Sequence, residues 1–210
     1  LGAVTQIRIA FLALAVLTLL SSCIERKDDR TRLVTIDRLL QTGKLEAAAT
    51  MSDAYVKSFP ESAQGWCQRG WIHTKLDELD DAVKCFDRSL EIDPKSDNAY
   101  VGHGVVSRKK GDLVKARESY LKSIEIVPSN AEAYGSLLVI ELMEGNHEKA
   151  VEYGEKAWAL RKDLAILPAN LSVAYHYIDN KPKRDFFAKQ AEKLGYPNMA
   201  KLDGIFEGTM

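Results

Sequence analysis

The chain has 210 residues, of which 46% are hydrophobic and 28% charged, a balance typical of a folded globular protein and not of a disordered chain. Its formal net charge of −1 provides no overall positive field, which argues against a nucleic-acid partner. The three cysteines cannot all pair with one another, so at least one thiol must have another role.

The chain begins with an apolar run that ends in a polar segment. Arg8 is the only charged residue before Cys23, and the run 9–20 follows it. As a helix with a rise of about 1.5 Å per residue, this run would cover roughly 18 Å, well short of the roughly 30 Å hydrocarbon core of a bilayer. That length predicts the hydrophobic region of an export signal at 1–22 and not a membrane-spanning helix.

The residues that close this segment, Leu20-Ser21-Ser22-Cys23, resemble the lipobox of bacterial lipoproteins. The resemblance implies that Cys23 carries palmitate-type acyl chains, is the first residue after cleavage and precedes a short charged linker, 23–30. Several acyl chains hold a protein stably on a membrane without spanning it. The alternatives are a plain secretory signal with a chance cysteine, and a buried apolar helix. We expect a lipid-anchored protein of the cell envelope that faces the periplasm. Ile24, in place of an Asp, favours the outer membrane over the inner.

The middle of the chain repeats itself without gaps at an offset of 34 residues, because 63–94 aligns with 97–128. The positions that agree are aromatic, small or Pro. They are Trp66 with Tyr100, Gly70 with Gly104, Ala82 with Ala116, Phe86 with Tyr120, and Pro94 with Pro128. This pattern resembles the tetratricopeptide repeat. The resemblance implies an all-α fold, a right-handed superhelix of stacked helix-turn-helix hairpins.

Extending the register predicts an array over 31–197 with four to five repeats, in which the terminal repeats are divergent because each has one face without a neighbour. The repeats are 29–62, 63–96, 97–130, 131–164 and the divergent 165–197; the tail 198–210 is either free or a capping helix.

Each recurrent residue type has a physical reason. Small residues allow two helices to approach closely, aromatic residues fill the space between hairpins, and Pro ends a helix. Gly43, Asp77, Gly111 and Gly145 recur every 34 residues and predict turns in the left-handed region. Ser62, Ser96 and Asn146 are predicted N-caps, Ser129 with Glu132 a capping box, and the second helix of the last repeat begins after Pro182.

No motif for catalysis or metal binding stands out. The four histidines show no ligand spacing, and neither a phosphate-binding loop nor a nucleophile elbow is found. We therefore predict a protein that is not an enzyme and has no cofactor or metal. A disulfide between Cys67 and Cys85 stays open, with two free packed thiols favoured. The basic clusters 108–110, 156–162 and 181–184 are interpreted as solvated helix ends, with binding of an anionic partner as the alternative.

In the resembling family, the first helix of each repeat faces a concave groove that binds peptides. The resemblance implies that the following residues bind a partner: Gln64, Trp71, Lys75, Asn98, Val101, Val105, Arg108, Lys109, Val139, Leu142 and Tyr177. Trp71 is either an exposed anchor or packed within the array. No repeat has the Lys–Asn pair of the carboxylate clamp used by chaperone-tail binders.

We therefore predict a membrane-anchored scaffold that binds a protein or peptide partner, and no nucleic acid, in envelope, pilus or secretion assembly. The alternative is a structural protein that associates with itself as a homo-oligomer.

Overall fold

The computed structural model describes residues 29–209, which form helices joined by short turns; no strand occurs among these residues. The predicted signal segment 1–22, Cys23 and most of the linker lie outside the described residues. The helices are α1 (29–41), α2 (Leu45–Ser58), α3 (Ala63–Lys75), α4 (Leu79–Ile92), α5 (Asp97–Lys109), α6 (Leu113–Ile126), α7 (Ala131–Met143), α8 (His147–Leu160), α9 (Ile166–Tyr177), α10 (Lys181–Lys193) and α11 (Met199–Phe206). They divide into two compact units, one up to Ile92 and one from Asp93.

The turns between paired helices have the left-handed backbone that the sequence predicts. Gly43, Gly111 and Gly145 have φ of 71°, 83° and 78°, and Asp77 has φ of 63°. Glycine reaches this region without a steric penalty, and Asp tolerates it better than most residues. The predicted turn positions are confirmed.

Two of the predicted helix starts are different in the structure. Ser62 caps α3 and accepts a hydrogen bond from the Gly65 amide at 3.2 Å, as predicted. Asn130, and not Ser129, caps α7, because its side chain accepts from the Ala133 amide at 3.0 Å. The last second helix begins at Lys181, so Pro182 lies inside its first turn. A proline is tolerated there, since the amides of a first turn have no partner within the helix.

The first unit packs α1, α2 and α3 around one apolar core, and α4 contacts α3. Leu33 and Ile36 of α1 contact Tyr55 and Val56 of α2 and Ile72 of α3. Polar bonds join the same elements, because the Gln68 amide donates to the Leu33 carbonyl at 3.1 Å. The Ser89 hydroxyl of α4 donates to the Ala63 carbonyl of α3 at 2.8 Å.

The second unit contains a close contact between a glycine and an aromatic ring. A Cβ placed on Gly104 of α5 would lie 2.5 Å from Cε1 of Tyr120 on α6, so only glycine permits this approach. In the next repeat Gly154 stands where the aromatic residue is expected, and Leu171 of α9 takes the space, 2.6 Å from the equivalent Cβ.

The C-terminal tail forms α11 and lies on the last hairpin. Leu202 is 3% exposed and packs with Ala169 of α9 and Ala191 of α10. Phe206 completes this contact, because its ring lies 5.3 Å from His176 and 5.1 Å from the Arg184 guanidinium. Of the two alternatives for the tail, the structure therefore shows a capping helix. The all-α fold of repeated helical hairpins is confirmed.

Candidate functional site

The first helices of three consecutive repeats, α5, α7 and α9, surround a cleft in the second unit. We call it the α7–α9 cleft; its volume is about 430 Å³. Its lining comes from the C-terminal end of α5, one face of α7, the connection 161–165 and the start of α9. The lining residues are Arg108, Ala131, Glu132, Gly135, Ser136, Val139, Arg161, Leu164, Ile166, Leu167 and Asn170.

The floor of the cleft is apolar because small and aliphatic residues recur along one face of α7. Ala131, Gly135 and Val139 are four residues apart, so their side chains lie above one another on the helix. Gly135 leaves room for the opposite wall, since a Cβ there would lie 2.8 Å from Cδ2 of Leu167. Ile166 at the margin is 47% exposed, which leaves an aliphatic surface open to a ligand.

Two arginines lie at the rim. Arg161, in the connection before α9, is held by Asp163 through two hydrogen bonds of 2.7 and 2.8 Å, and this ion pair raises its pKa. Arg108, at the end of α5, has a buried Nε with no hydrogen-bond partner. Glu132 is the one carboxylate among the lining residues, and its charge acts on Arg161.

A buried tyrosine lies close to the same wall. Tyr120 is fully buried, and its hydroxyl makes no hydrogen bond of good geometry. Burial raises its pKa, while the neighbouring Ser136 and Arg108 act to lower it. The Arg108 Nε and the Tyr120 hydroxyl are both buried from solvent, and Tyr120 does not line the cleft. The polar surface that a ligand in the cleft could contact therefore comes from other groups of the lining, among them Glu132, Arg161 and Asn170.

Two of the predicted partner-binding residues, Arg108 and Val139, line this cleft. Val101 is 1% exposed and belongs to the core, so its assignment to the binding surface was wrong. Leu142 packs against Leu138 and other apolar residues, and Val105 is half-buried. Asn98 and Lys109 are exposed at opposite ends of α5.

The remaining predicted residues lie elsewhere. Tyr177 is 54% exposed and stacks on His147, with ring centroids 4.4 Å apart. In the first unit, Gln64 and Lys75 are exposed on α3. Trp71 is half-buried and lies edge-on to Phe86 at 5.6 Å, so it packs within its own repeat and is not a free anchor.

The sequence prediction missed the wall formed by Arg161, Leu164, Ile166 and Asn170. In the repeat register Lys162 stands where Pro94 and Pro128 end the earlier repeats, so the period is lost at this point. The absence of a proline at this position was the sequence feature that could have indicated an altered connection.

The cysteines and the potential metal ligands can be located among the described residues. Cys67 and Cys85 are both buried and form no disulfide with each other, and burial raises the Cys85 pKa to about 11. Within 29–209 no three potential metal-binding side chains of His, Cys, Asp or Glu are grouped. None of the helices in this range has the length and apolar character that crossing a bilayer requires.

Comparisons with known proteins relate one segment of the sequence to a family model. Residues 63–96 match the family model described as the tetratricopeptide repeat. A search of the curated proteins gives no match.

Solved structures share the fold at low sequence identity. TTC0263, a thermophilic tetratricopeptide repeat protein from Thermus thermophilus, has 16% identity and a TM-score of 0.69, covering 86% of this chain and 97% of its own. MamA from Desulfovibrio magneticus RS-1 has 19% identity and a TM-score of 0.63, covering 81% and 96%. YrrB, described as a tetratricopeptide repeat protein with an unusual peptide-binding site, has 17% identity and a TM-score of 0.59, covering 82% and 89%. Residues 63–96 therefore match a tetratricopeptide repeat, and the described residues share the fold of solved proteins of this repeat type.

Proposed function

We propose that this chain is an interaction scaffold that holds a peptide segment of a protein partner in the α7–α9 cleft. The tetratricopeptide fold supports a role in protein–protein interaction. The observation that carries the proposal is the cleft itself, a space of about 430 Å³ whose apolar floor is bordered by the polar side chains of Arg108, Glu132, Arg161 and Asn170. Binding sites for peptides and small ligands have this combination of an apolar surface and a few oriented polar groups.

The proposal includes a lipid anchor at Cys23 and a location in the bacterial envelope, with the outer membrane favoured over the inner. Its support is the sequence of the first segment, an apolar run of export-signal length that ends in Leu20-Ser21-Ser22-Cys23. An anchored scaffold would bring a soluble or membrane-bound partner to one leaflet and there contribute to an envelope, pilus or secretion assembly.

The test is recovery of partners from membranes with the full-length protein, with Cys23→Ala and with Val139→Arg. An arginine at Val139 places a charge and a long side chain on the apolar floor, so we expect the partner to be lost while the protein stays folded. Lys189→Gln is the control, because Lys189 is exposed on α10 and is not among the residues that line the cleft. Mass spectrometry of residue 23 tests the anchor independently, and Cys23→Ala should leave the protein in the soluble fraction.

Three results would contradict all or part of the proposal. Recovery of the same partner with Val139→Arg would move the binding site away from the cleft. Recovery of the chain alone, with a mass in sedimentation that rises with concentration, would support the alternative of a self-associating structural protein. An unmodified Cys23 would contradict the lipid anchor but not the proposed role as an interaction scaffold.

A further inference from the structure

The start of α1 is fixed against the connection between α2 and α3. The carboxylate of Asp29, the first residue of α1, accepts a hydrogen bond from the hydroxyl of Tyr55 near the end of α2. Three residues further along α1, the Arg32 guanidinium lies over the Phe59 ring at 6.0 Å. Tyr55 belongs to the core of the first unit, so its bond to Asp29 ties the first turn of α1 to that core. The point at which the chain enters α1 therefore lies beside the connection 59–62.

The connection 59–62 is itself bonded to α3 at two points. The indole Nε1 of Trp66 donates a hydrogen bond to the Pro60 carbonyl at 2.8 Å, and Ser62 is the N-cap of α3. Between this connection and Asp29 lies an open depression of about 310 Å³. The connection and the start of α1 therefore form one defined surface of the first unit.

We call this surface the tethered end and define it as residues 29–32 and 57–62. Pro60 is exposed and Phe59 is half-buried, so part of the tethered end is apolar. Its charged residues are three cations, Arg30, Arg32 and Lys57, and two carboxylates, Asp29 and Glu61. Apolar groups bordered by cations suit a phospholipid surface, where phosphate groups cover the hydrocarbon.

The attraction of the tethered end to a membrane is weak in itself. Asp29 is bonded to Tyr55, and Glu61 pairs with Arg88 at 2.9 Å, so neither carboxylate stands alone against the phosphate groups. An excess of one cation over the carboxylates is too small to draw the protein to a bilayer from a distance. Contact with a membrane must therefore depend on proximity.

The position of Cys23 supplies that proximity. Five residues, 24–28, separate Cys23 from Asp29. A chain extends by at most about 3.6 Å per residue, so Asp29 lies within roughly 22 Å of Cys23 whatever the conformation between them. Acyl chains on Cys23 would hold that residue at the headgroup layer. A link this short gives an effective concentration in the millimolar range, at which a weakly binding surface is occupied.

We infer that the tethered end rests on the phospholipid headgroups of the membrane that holds the anchor, with Phe59 and Pro60 at the interface. This inference rests on the proposed function, since it needs the lipid anchor at Cys23. The helices α1 and α3 have 13 residues each and extend about 20 Å from this end. The other end of the first unit, with Thr42 and Lys75, therefore lies further from the headgroups.

The experiment compares fluorescent labels at the two ends of the first unit. The acylated full-length protein is labelled at Ser58→Cys or at Lys75→Cys, both of which are exposed positions. It is then placed in vesicles of phosphatidylethanolamine and phosphatidylglycerol, in which some lipids carry a nitroxide quencher on the headgroup. We expect quenching of the Ser58 label to be at least about threefold stronger, because the length of α3 separates the two positions. The unsubstituted protein, treated in the same way, measures background labelling of Cys67 and Cys85.

A charge placed at the interface tests the contact directly. Pro60→Glu adds a carboxylate next to the phosphate groups and keeps the backbone carbonyl that Trp66 binds, so it should lower the quenching of the Ser58 label about twofold. Thr42→Glu adds the same charge at an exposed position of the other end and is the matched control. It should leave the quenching unchanged. Circular dichroism of each variant checks that the helices are retained.

The outcomes separate this inference from the proposed function. Equal quenching of the two labels, in protein whose Cys23 is acylated, overturns the inference and leaves the anchor in place. Quenching of the Ser58 label that Pro60→Glu does not alter overturns the contact at the connection. If mass spectrometry finds Cys23 unmodified, the anchor and this inference are both wrong. The role as an interaction scaffold is tested separately through Val139→Arg and does not depend on any of these results.

Discussion

Replacing Gly104 by Ala tests a close contact between α5 and α6 in the second unit. A Cβ at this position of α5 would lie 2.5, 2.7 and 2.8 Å from Cε1, Cζ and Cδ1 of Tyr120. Carbon atoms do not approach to these distances, so the helix or the ring must move. The ring is fully buried, which prevents it from turning aside without disturbing the other core residues around it.

The size of the effect follows from two opposing contributions. Adding a methyl group to a packed core costs typically about 1–3 kcal/mol, and three close ring atoms place Gly104→Ala in the upper part of that range. Alanine favours a helix over glycine by about 1 kcal/mol, which offsets part of the loss. The free energy of unfolding should therefore fall by about 1–2 kcal/mol. For a chain of this size the midpoint of thermal unfolding should fall by roughly 3–6 °C.

Urea unfolding followed by circular dichroism measures this change, with Gly135→Ala as the matched control. A Cβ on Gly135 meets one near atom, Cδ2 of Leu167 at 2.8 Å, which is the end of a flexible side chain. The control should leave the free energy of unfolding unchanged or raise it slightly, because alanine still favours the helix over glycine. The Gly104→Ala penalty should also vanish when Tyr120 is replaced by Leu. Unchanged stability of Gly104→Ala, or an equal loss in the Leu background, would refute the steric argument.

Three further predictions concern buried and paired groups. Cys85, whose pKa is raised to about 11 by burial, should react with a thiol reagent at neutral pH only as fast as the protein opens; rapid labelling of the folded chain would contradict this. Arg117→Met should lower the free energy of unfolding by about 2 kcal/mol in a urea titration, because Glu141 is 2% exposed and loses the Arg117 Nε donor at 3.0 Å. The hydrogen bond from Lys183 is the main reason why the pKa of Glu155 is lowered. The contact therefore stabilises the fold fully at pH values above the ordinary Glu pKa of about 4.3. This stabilisation is lost as the pH falls through the lowered pKa. Glu155→Gln should weaken that acid dependence in unfolding curves measured at several pH values.

The recurring contacts could be predicted because they are local and repeated. Gly70 with Phe86 and Gly104 with Tyr120 occupy the same two positions of consecutive repeats, and the structure places each glycine directly against the ring. The turn residues also depend only on local backbone geometry, so Gly43 and Asp77 could be assigned from spacing alone. A pattern that recurs at a fixed interval is tested twice within one sequence, which makes it reliable without any structure.

Side-chain environments were harder to predict, because they depend on neighbours from other helices. Asn130 and Ser129 are both good N-cap residues, and the choice of Asn130 depends on its further bonds to Asp97 of α5 at 3.0 Å and Ser123 of α6 at 2.9 Å. Val101 occupies a position that faces the groove in the family, yet it is buried here. Neither outcome is determined by the residues within one turn of the helix.

The cleft lies where the sequence departs from the 34-residue period. For this reason the repeat register predicted only some of the residues that line it. Four residues join α4 to α5 and α6 to α7, 93–96 and 127–130, whereas five residues, 161–165, join α8 to α9. The longer connection lacks the proline of the earlier repeats and brings Arg161 and Leu164 over the face of α7. Regular repeats pack each hairpin against an equivalent neighbour, so a connection of different length changes the local surface between two hairpins. Lys162, in place of the expected proline, identifies this irregular connection in the sequence, although it does not by itself indicate which residues will line the cleft.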